Sequence, residues 1–277
     1  MSQSATQGPR RQAKKSLGQN FLIDPNVVRK IVGCLDVQPL EAIVEIGPGR
    51  GALTKVLLEQ GARVIALEKD SGLAVELKTR HPDVQLAVAD ALKCAWIRLP
   101  QAGIGKVIGN LPYNIASPLI WDLTAQFQAV PGRIVVMLQK EVARRLTASP
   151  GSRVYGALSV WVQTFVQPRL EFILSPEVFR PRPRVDSAVV SMSCRSERPT
   201  ADEGAALAGL LRVCFQKRRK QLKTSLRGVW SGPVQEWFAA HGVDPRTRAE
   251  ALTPGEFLSL AQVLPAAAWT GDGKARH

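Results

Sequence analysis

The run Glu45-Ile46-Gly47-Pro48-Gly49-Arg50-Gly51 follows a short apolar stretch and precedes a helix-compatible segment that begins near Ala52. Glycines at such a place let the chain turn tightly from strand to helix and let a ligand approach the backbone with no Cβ in the way. The chemistry this suits is nucleotide binding. Glu68, seventeen residues after Gly51 and at the end of the next apolar run, is placed to accept hydrogen bonds from both hydroxyls of a ribose. Gly47, Gly49 and Ala52 also satisfy the looser G-x-G-x-x-A form of dinucleotide sites, so a nicotinamide-dependent oxidoreductase stays open. Against it stands Glu45, a carboxylate that would repel a diphosphate and would suit the ammonium and sulfonium of S-adenosylmethionine (SAM). A glycine turn that holds no ligand is the plainest alternative.

Two further places carry chemistry. Asp90 ends the third strand-like run, where it can either accept from the exocyclic amine of an adenine or cap the helical turn that Ala91 and Leu92 would start. Gly109-Asn110-Leu111-Pro112-Tyr113-Asn114 follows the fourth run. An exocyclic amine is a poor nucleophile because its lone pair is delocalised into the ring. If the Asn110 side-chain oxygen and the Leu111 main-chain carbonyl accept its two hydrogens, the nitrogen is pushed toward sp³ character and its lone pair faces the methyl donor. Tyr113 can stack on the base, as an extruded or unpaired nucleotide requires. Attack on a sulfonium needs alignment more than a strong base. Taken alone, the motif reads better as a proline turn with a buried tyrosine; with the glycine loop upstream on the same sheet, the acceptor reading is the stronger one.

The elements that must position these residues are legible as alternating apolar runs and amphipathic stretches from Glu41 to about Ser193, the pattern of a parallel sheet covered by helices. Strands are predicted at 42–46, 63–67, 84–89, 106–108 and 133–138, with further strands at 161–166 and 187–192. The expected fold class is α/β, a doubly wound domain over 14–195, which the glycine loop, Glu45 and the acceptor motif turn into the expectation of a Rossmann-like SAM-dependent methyltransferase domain. A Pro-containing linker at 196–204 leads to a small helical domain at 205–265, and loose tails are expected at 1–13 and 266–277.

The chain has 277 residues, 45% of them apolar, which is enough for a large domain and a small one. No apolar run approaches the ~20 residues of a membrane span. The polar, basic start lacks the apolar segment of a secretory signal, so a cytoplasmic enzyme is expected, with an organelle transit peptide as a minor alternative. Cys34, Cys94, Cys194 and Cys214 are scattered and only three histidines are present, so neither a disulfide framework nor a metal site is indicated. A monomer is the default.

The net charge of +14 is the unusual quantity. Residues 180–277 are about twice as basic per residue as the rest, and no acid occurs from Ala205 through Gln235. The densest stretch, Lys217, Arg218, Arg219, Lys220, Lys223 and Arg227, is predicted to lie on one helix, with Leu211, Phe215, Leu222 and Leu226 on its apolar side. A solvated face is the plain reading of such a run, yet solvated faces normally mix signs. A contact with nucleic-acid phosphates is favoured.

Several long motifs occur together in order: Leu17-Gly18-Gln19-Asn20-Phe21-Leu22, Glu45 to Gly49, Gly109 to Asn114, Leu138-Gln139-Lys140-Glu141-Val142, Phe179-Arg180-Pro181-Arg182-Pro183-Arg184-Val185-Asp186-Ser187 and Phe215 to Lys220. With them the chain resembles the KsgA-type small-subunit (16S) ribosomal RNA adenine dimethyltransferases, relatives of the erythromycin-resistance methylases, from Lys14 to about Ala261. The resemblance implies SAM contacts at Asn20, Leu22, Gly47, Glu68, Asp90 and Asn110. It implies a target adenine held by Asn110, Leu111 and Tyr113, with Phe179 stacked on its other face unless that ring is simply core. The implied product is N6,N6-dimethyladenosine at two adjacent adenosines of the 3′-terminal rRNA hairpin, with the small ribosomal subunit as partner. Leu17, Ser175 and Arg184 depart mildly from the family's pattern and touch none of this chemistry. A ribosome-assembly binding factor with dispensable catalysis is the alternative that the basic stretch motivates. A large-subunit resistance methylase is disfavoured by the segment from Phe215 to Leu226.

Overall fold

The computed structural model describes residues 19–127 and 132–264. The expected tails at 1–13 and 266–277 lie outside the described residues. In chain order the first half contains β1 (Phe21–Leu22), α1 (Pro25–Gly33), β2 (Ala42–Ile46), α2 (Ala52–Glu59), β3 (Arg63–Glu68), α3 (Ser71–Arg80), β4 (Gln85–Val88), α4 (Arg98–Gln101), β5 (Lys106–Asn110) and α5 (Ala116–Gln126). There follow β6 (Arg133–Gln139), α6 (Lys140–Leu146), α7 (Ala157–Phe165), β7 (Val166–Leu174), β8 (Phe179–Arg180) and β9 (Ser187–Cys194). Helices α8 (Ala201–Gln216), α9 (Leu222–Ser225), α10 (Gly232–Ala240) and α11 (Pro254–Gln262) complete the described chain.

Seven strands form one sheet in the order β4-β3-β2-β5-β6-β9-β7. The first five run parallel, while β9 is antiparallel to β6 and β7 antiparallel to β9. The chain winds outward from β2 to β3 and β4, then returns to place β5 on the other flank of β2. That reversal opens a crevice at the carboxyl ends of β2 and β5, where open α/β sheets bind ligands.

Alternation along the strands divides the core into two layers. Val44, Ile46, Val107, Val136 and Val190 face the layer shared with α5, α7, α8 and α11, whereas Ile43, Val64, Ile108, Val135 and Val189 face α1 and α2. Helix starts are fixed locally. Asp24 accepts from the Asn26 and Val27 amides ahead of Pro25, and Thr200 and Glu203 form a reciprocal cap on α8, each such cap contributing about 1 kcal/mol.

Of the segment 161–166, expected as a strand, residues 161–165 belong to α7. Six of its nine helical residues are buried, because α5, α6, α8 and α11 all pack around it, and its β-branched and aromatic residues read as a strand in the sequence. Trp161 stacks on Trp121 of α5 with ring centroids 4.0 Å apart, and its indole N–H donates to the Trp121 carbonyl. The true strand, β7, begins at Val166 and contains Pro168, which is tolerated because β7 is the outermost strand and pairs only with β9.

The basic stretch, expected on one helix, is broken: α8 ends at Gln216, and Lys217 leaves helical geometry at φ −129°, ψ 75°. The following turn is held by non-local bonds, since the Arg218 guanidinium donates to the Arg153 and Tyr155 carbonyls and the Leu222 amide donates to Thr247. Leu211, Leu222 and Leu226 still end in the core, so the apolar partition survives the break. The expected linker gives way to α8 at Ala201, and the C-terminal helices share one continuous apolar layer with the sheet.

Candidate active site

A cleft of about 1100 Å³, counting its open mouth, occupies the crevice between the ends of β2 and β5. Its walls include Asn20, Leu22, Gly47, Glu68, Asp90, Asn110, Leu111 and Tyr113, so residues more than ninety positions apart meet in one place. Phe179 is not among the lining residues. It is 1% exposed and packs in the α1/α2 layer as the cross-strand partner of Leu22, so its ring serves as core. Nor do Lys217, Arg218, Arg219, Lys220, Lys223 or Arg227 line the cleft; all six are exposed on the surface of the C-terminal region.

The glycine loop needs its glycines. Gly47, Gly49 and Gly51 have φ of 64°, 55° and 79°, in the left-handed region that costs other residues about 1–2 kcal/mol. A Cβ on Gly49 would meet the Phe21 ring at 3.0 Å, so the loop and the N-terminal segment close on one another without room for a side chain.

Glu68 braces this loop. Its Oε2 accepts from the Gly49 amide at 3.1 Å and its Oε1 from the Asp70 amide at 2.8 Å. Burial pushes its carboxyl up, opposed by those backbone bonds. A carboxylate has about four lone-pair sites, so these backbone bonds still leave acceptor capacity for a ligand hydroxyl. Asp90 fulfils the capping expectation and also lines the cleft. It accepts from the Leu92 amide at 3.1 Å and from the Lys69 ammonium at 2.8 Å, and the latter bond chiefly holds its carboxyl low.

Glu45 differs from the expectation of a fixed negative charge. It is 1% exposed, accepts from the Thr54 hydroxyl at 2.6 Å, and is pushed by desolvation up to about 7. At neutral pH it stands near its midpoint, ready to ionise when a cation is brought beside it.

On the acceptor side, the Asn110 Nδ2 donates to the Asn20 main-chain carbonyl at 2.7 Å. A carbonyl oxygen can only accept, so this bond fixes which end of the amide is nitrogen and leaves Oδ1 as the group available to a ligand. The Leu111 amide donates to Met137 on β6 at 3.0 Å, fixing the peptide that follows β5. The Tyr113 hydroxyl lies 2.6 Å from the buried Ser187 Oγ, and burial pushes its pKa up. Sequence reasoning singled out neither the Asn20 carbonyl, Thr54, Lys69 nor Ser187 for these roles. Each acts through a contact made only once the chain is folded, and no spacing rule marks it in the sequence.

A glycine-bridged crevice, an acid at the end of the neighbouring strand and an Asn-Leu-Pro-Tyr turn at the end of the next, set in this strand order, define the Rossmann-like SAM-dependent methyltransferase class. The family model for ribosomal RNA adenine dimethylases matches residues 10–265. The chain is 47% identical over 259 residues to the ribosomal RNA small subunit methyltransferase A of Nitratidesulfovibrio vulgaris, covering 91% of this chain and 96% of that protein. It is 46% identical over 274 residues to the protein of the same name from Oleidesulfovibrio alaskensis, covering 95% of each. A dimethyladenosine transferase from Plasmodium falciparum superposes with a TM-score of 0.71 at 26% identity, over 86% of this chain and 95% of that one. The 23S rRNA methyltransferase ErmE shares the fold, with a TM-score of 0.68 at 23% identity over 88% of this chain and 99% of that one. The chain belongs to the ribosomal RNA adenine dimethylase family and is a methyltransferase whose substrate class is ribosomal RNA. Among the described residues no helix is long and apolar enough to cross a membrane, and no group of three or more His, Cys, Asp or Glu side chains is placed to hold a metal ion.

Proposed function

We propose that the cleft binds SAM and that the protein methylates N6 of two adjacent adenosines in the 3′-terminal hairpin of 16S rRNA, giving N6,N6-dimethyladenosine during late maturation of the small ribosomal subunit. The observation that carries this reading is the Asn110 amide, fixed by Asn20 so that its oxygen is free to accept beside the glycine loop. When bound, SAM supplies an electrophilic methyl group on a positively charged sulfur. The glycine loop gives close backbone approach, Glu68 receives the ribose hydroxyls, Asp90 the adenine amine, and Asn20 and Leu22 close the cleft over the donor. Glu45 ionises against the positive charge of the ligand.

On the acceptor side, Asn110 Oδ1 and the Leu111 carbonyl take the two hydrogens of the target amine and turn its lone pair toward the donor. Tyr113, held at its hydroxyl by Ser187, stacks on the base. The proton leaves after transfer, so no buried base is required. Lys217, Arg219, Lys220, Lys223 and Arg227 supply phosphate contacts outside the cleft. The protein acts as a monomer in the cytoplasm. The methyltransferase names of the relatives favour catalysis over a purely binding role in assembly.

Incubation with SAM and small subunits lacking the modification, followed by mass spectrometry of the digested nucleosides, tests this. Dimethyladenosine with the wild type and its loss in Asn110→Ala is the expected result. An active Asn110→Ala would remove Asn110 from the acceptor site, and an inactive wild type that binds SAM would move the substrate elsewhere.

A further inference from the structure

The segment 180–186 connects β8 to β9 and is tied to the cleft at both ends. At its start, Arg180 is the cross-strand partner of Phe21 and Phe179 that of Leu22, and both Phe21 and Leu22 line the cleft. At its end, Asp186 accepts the Lys140 ammonium at 2.8 Å on its carboxylate and the Lys140 amide at 3.1 Å on its carbonyl. The next residue, Ser187, holds Tyr113. The segment therefore spans from the donor wall of the cleft to its acceptor wall.

Arg180, Arg182 and Arg184 occupy alternate positions of this segment, separated by Pro181 and Pro183. All three arginines are exposed, whereas Pro183 is buried. Proline rings fix φ near −65°, so the backbone that presents the guanidinium groups is set in advance and loses little freedom on binding. The nearby acids are already committed. Glu177 pairs with Arg182, and Asp186 pairs with Lys140. Arg180 and Arg184 make no ion pair with any described residue.

A base that enters the cleft must leave its stack, which requires the sugar-phosphate chain on either side of it to be held at the mouth. Guanidinium groups bind phosphate oxygens through two parallel hydrogen bonds, and such contacts position a strand without reading its sequence. We infer that Arg180 and Arg184 grip the phosphates flanking the target nucleotide, which makes the 180–186 segment a clamp on the RNA backbone, separate from the basic surface at 217–220. This inference rests on the methyltransferase reading of the cleft.

The test compares the wild type with Arg180→Gln/Arg184→Gln, Arg180→Lys/Arg184→Lys and Arg182→Gln. Methylation of unmodified small subunits is followed across a salt series, with binding to the same subunits and to protein-free small-subunit rRNA measured in parallel. The Gln pair is expected to raise KM about tenfold or more and to reduce the slope of log affinity against log salt by roughly 0.7–0.9 for each phosphate no longer neutralised. SAM affinity and Tm should stay at wild-type values, the Lys pair should recover most of the slope, and Arg182→Gln should have little effect. A Gln pair with wild-type KM and slope, or one that binds more weakly at an unchanged slope, would overturn the clamp. So would a defect seen with subunits and absent with protein-free rRNA, which would assign the segment to a ribosomal protein. A wild type that binds RNA without methylating it would sink the reading of the cleft, while the binding slopes would still decide the clamp.

Discussion

Glu45 offers a direct measure of how far the cleft's electrostatics follow from its burial. Glu45→Gln removes the ionisable proton while keeping a side-chain oxygen for the Thr54 hydroxyl, so it mimics the neutral acid. Raising the carboxyl from 4.5 to about 7 disfavours its ionised form in the folded protein by about 3 kcal/mol, at ~1.4 kcal/mol per pH unit. The folded state then holds a proton between these two values that the unfolded state has already released. Its contribution to stability is therefore complete below about 4.5 and lost as pH rises through about 7. Urea denaturation of both proteins without SAM, at about pH 5 and about pH 8, measures the effect as a difference of differences. The variant should be more stable than the wild type by about 3 kcal/mol at the higher pH, with the gap closing toward the lower one. Calorimetric titration with SAM near pH 7 in two buffers of different ionisation enthalpy should show protons released by the wild type and none by Glu45→Gln. Parallel pH profiles for the two proteins would refute the reasoning, because they would mean that water or an unforeseen partner solvates the carboxylate.

Gly49→Ala places a methyl group against the Phe21 ring at a left-handed φ, and should weaken SAM binding measured by calorimetry at least tenfold. Ser187→Ala leaves the Tyr113 hydroxyl without its partner; a loss of about 1 kcal/mol in kcat with SAM affinity unchanged is expected, and Ser187→Thr should restore part of it. The basic residues of the 217–220 turn should separate into two classes. Arg218→Ala should lower Tm, since its guanidinium ties the turn to the Arg153 and Tyr155 carbonyls, whereas Gln at Lys217, Arg219 and Lys220 should leave Tm in place and flatten the salt dependence of subunit binding.

Much of the architecture could be read from the sequence because it is written in local patterns. The parallel strands β2, β3, β5 and β6 are runs of Val, Ile and Leu between turns, and the glycine loop, Glu68 and the Asn110 to Tyr113 turn sit at their ends. Their convergence on one cleft follows from the winding rules of such sheets. What escaped has no local signature. Helix α7 is packed by four other helices and is therefore largely apolar, and its β-branched and aromatic run at 161–166 looks like a strand. Strand β7 carries Pro168, which argues against a strand unless its position at the sheet edge is known. The break at Lys217 is imposed by main-chain partners near Arg153 and Thr247, which override a continuous helical period. Phe179 could be read either as a stacking ring or as core, and only its pairing with Leu22 places it in the core.

The contact that orients Asn110 comes from the peptide of Asn20 and not from its side chain. Side-chain scanning is therefore blind to it. An Asn20→Ala protein keeps the same carbonyl in the same place, so any defect it shows reports on what the Asn20 amide itself touches. Shortening the chain past this residue, by proteolysis or an altered translation start, would free the Asn110 amide to turn over and offer its nitrogen where an oxygen is needed. The result would be a protein whose sheet and glycine loop are intact and whose failure traces to the orientation of one planar group.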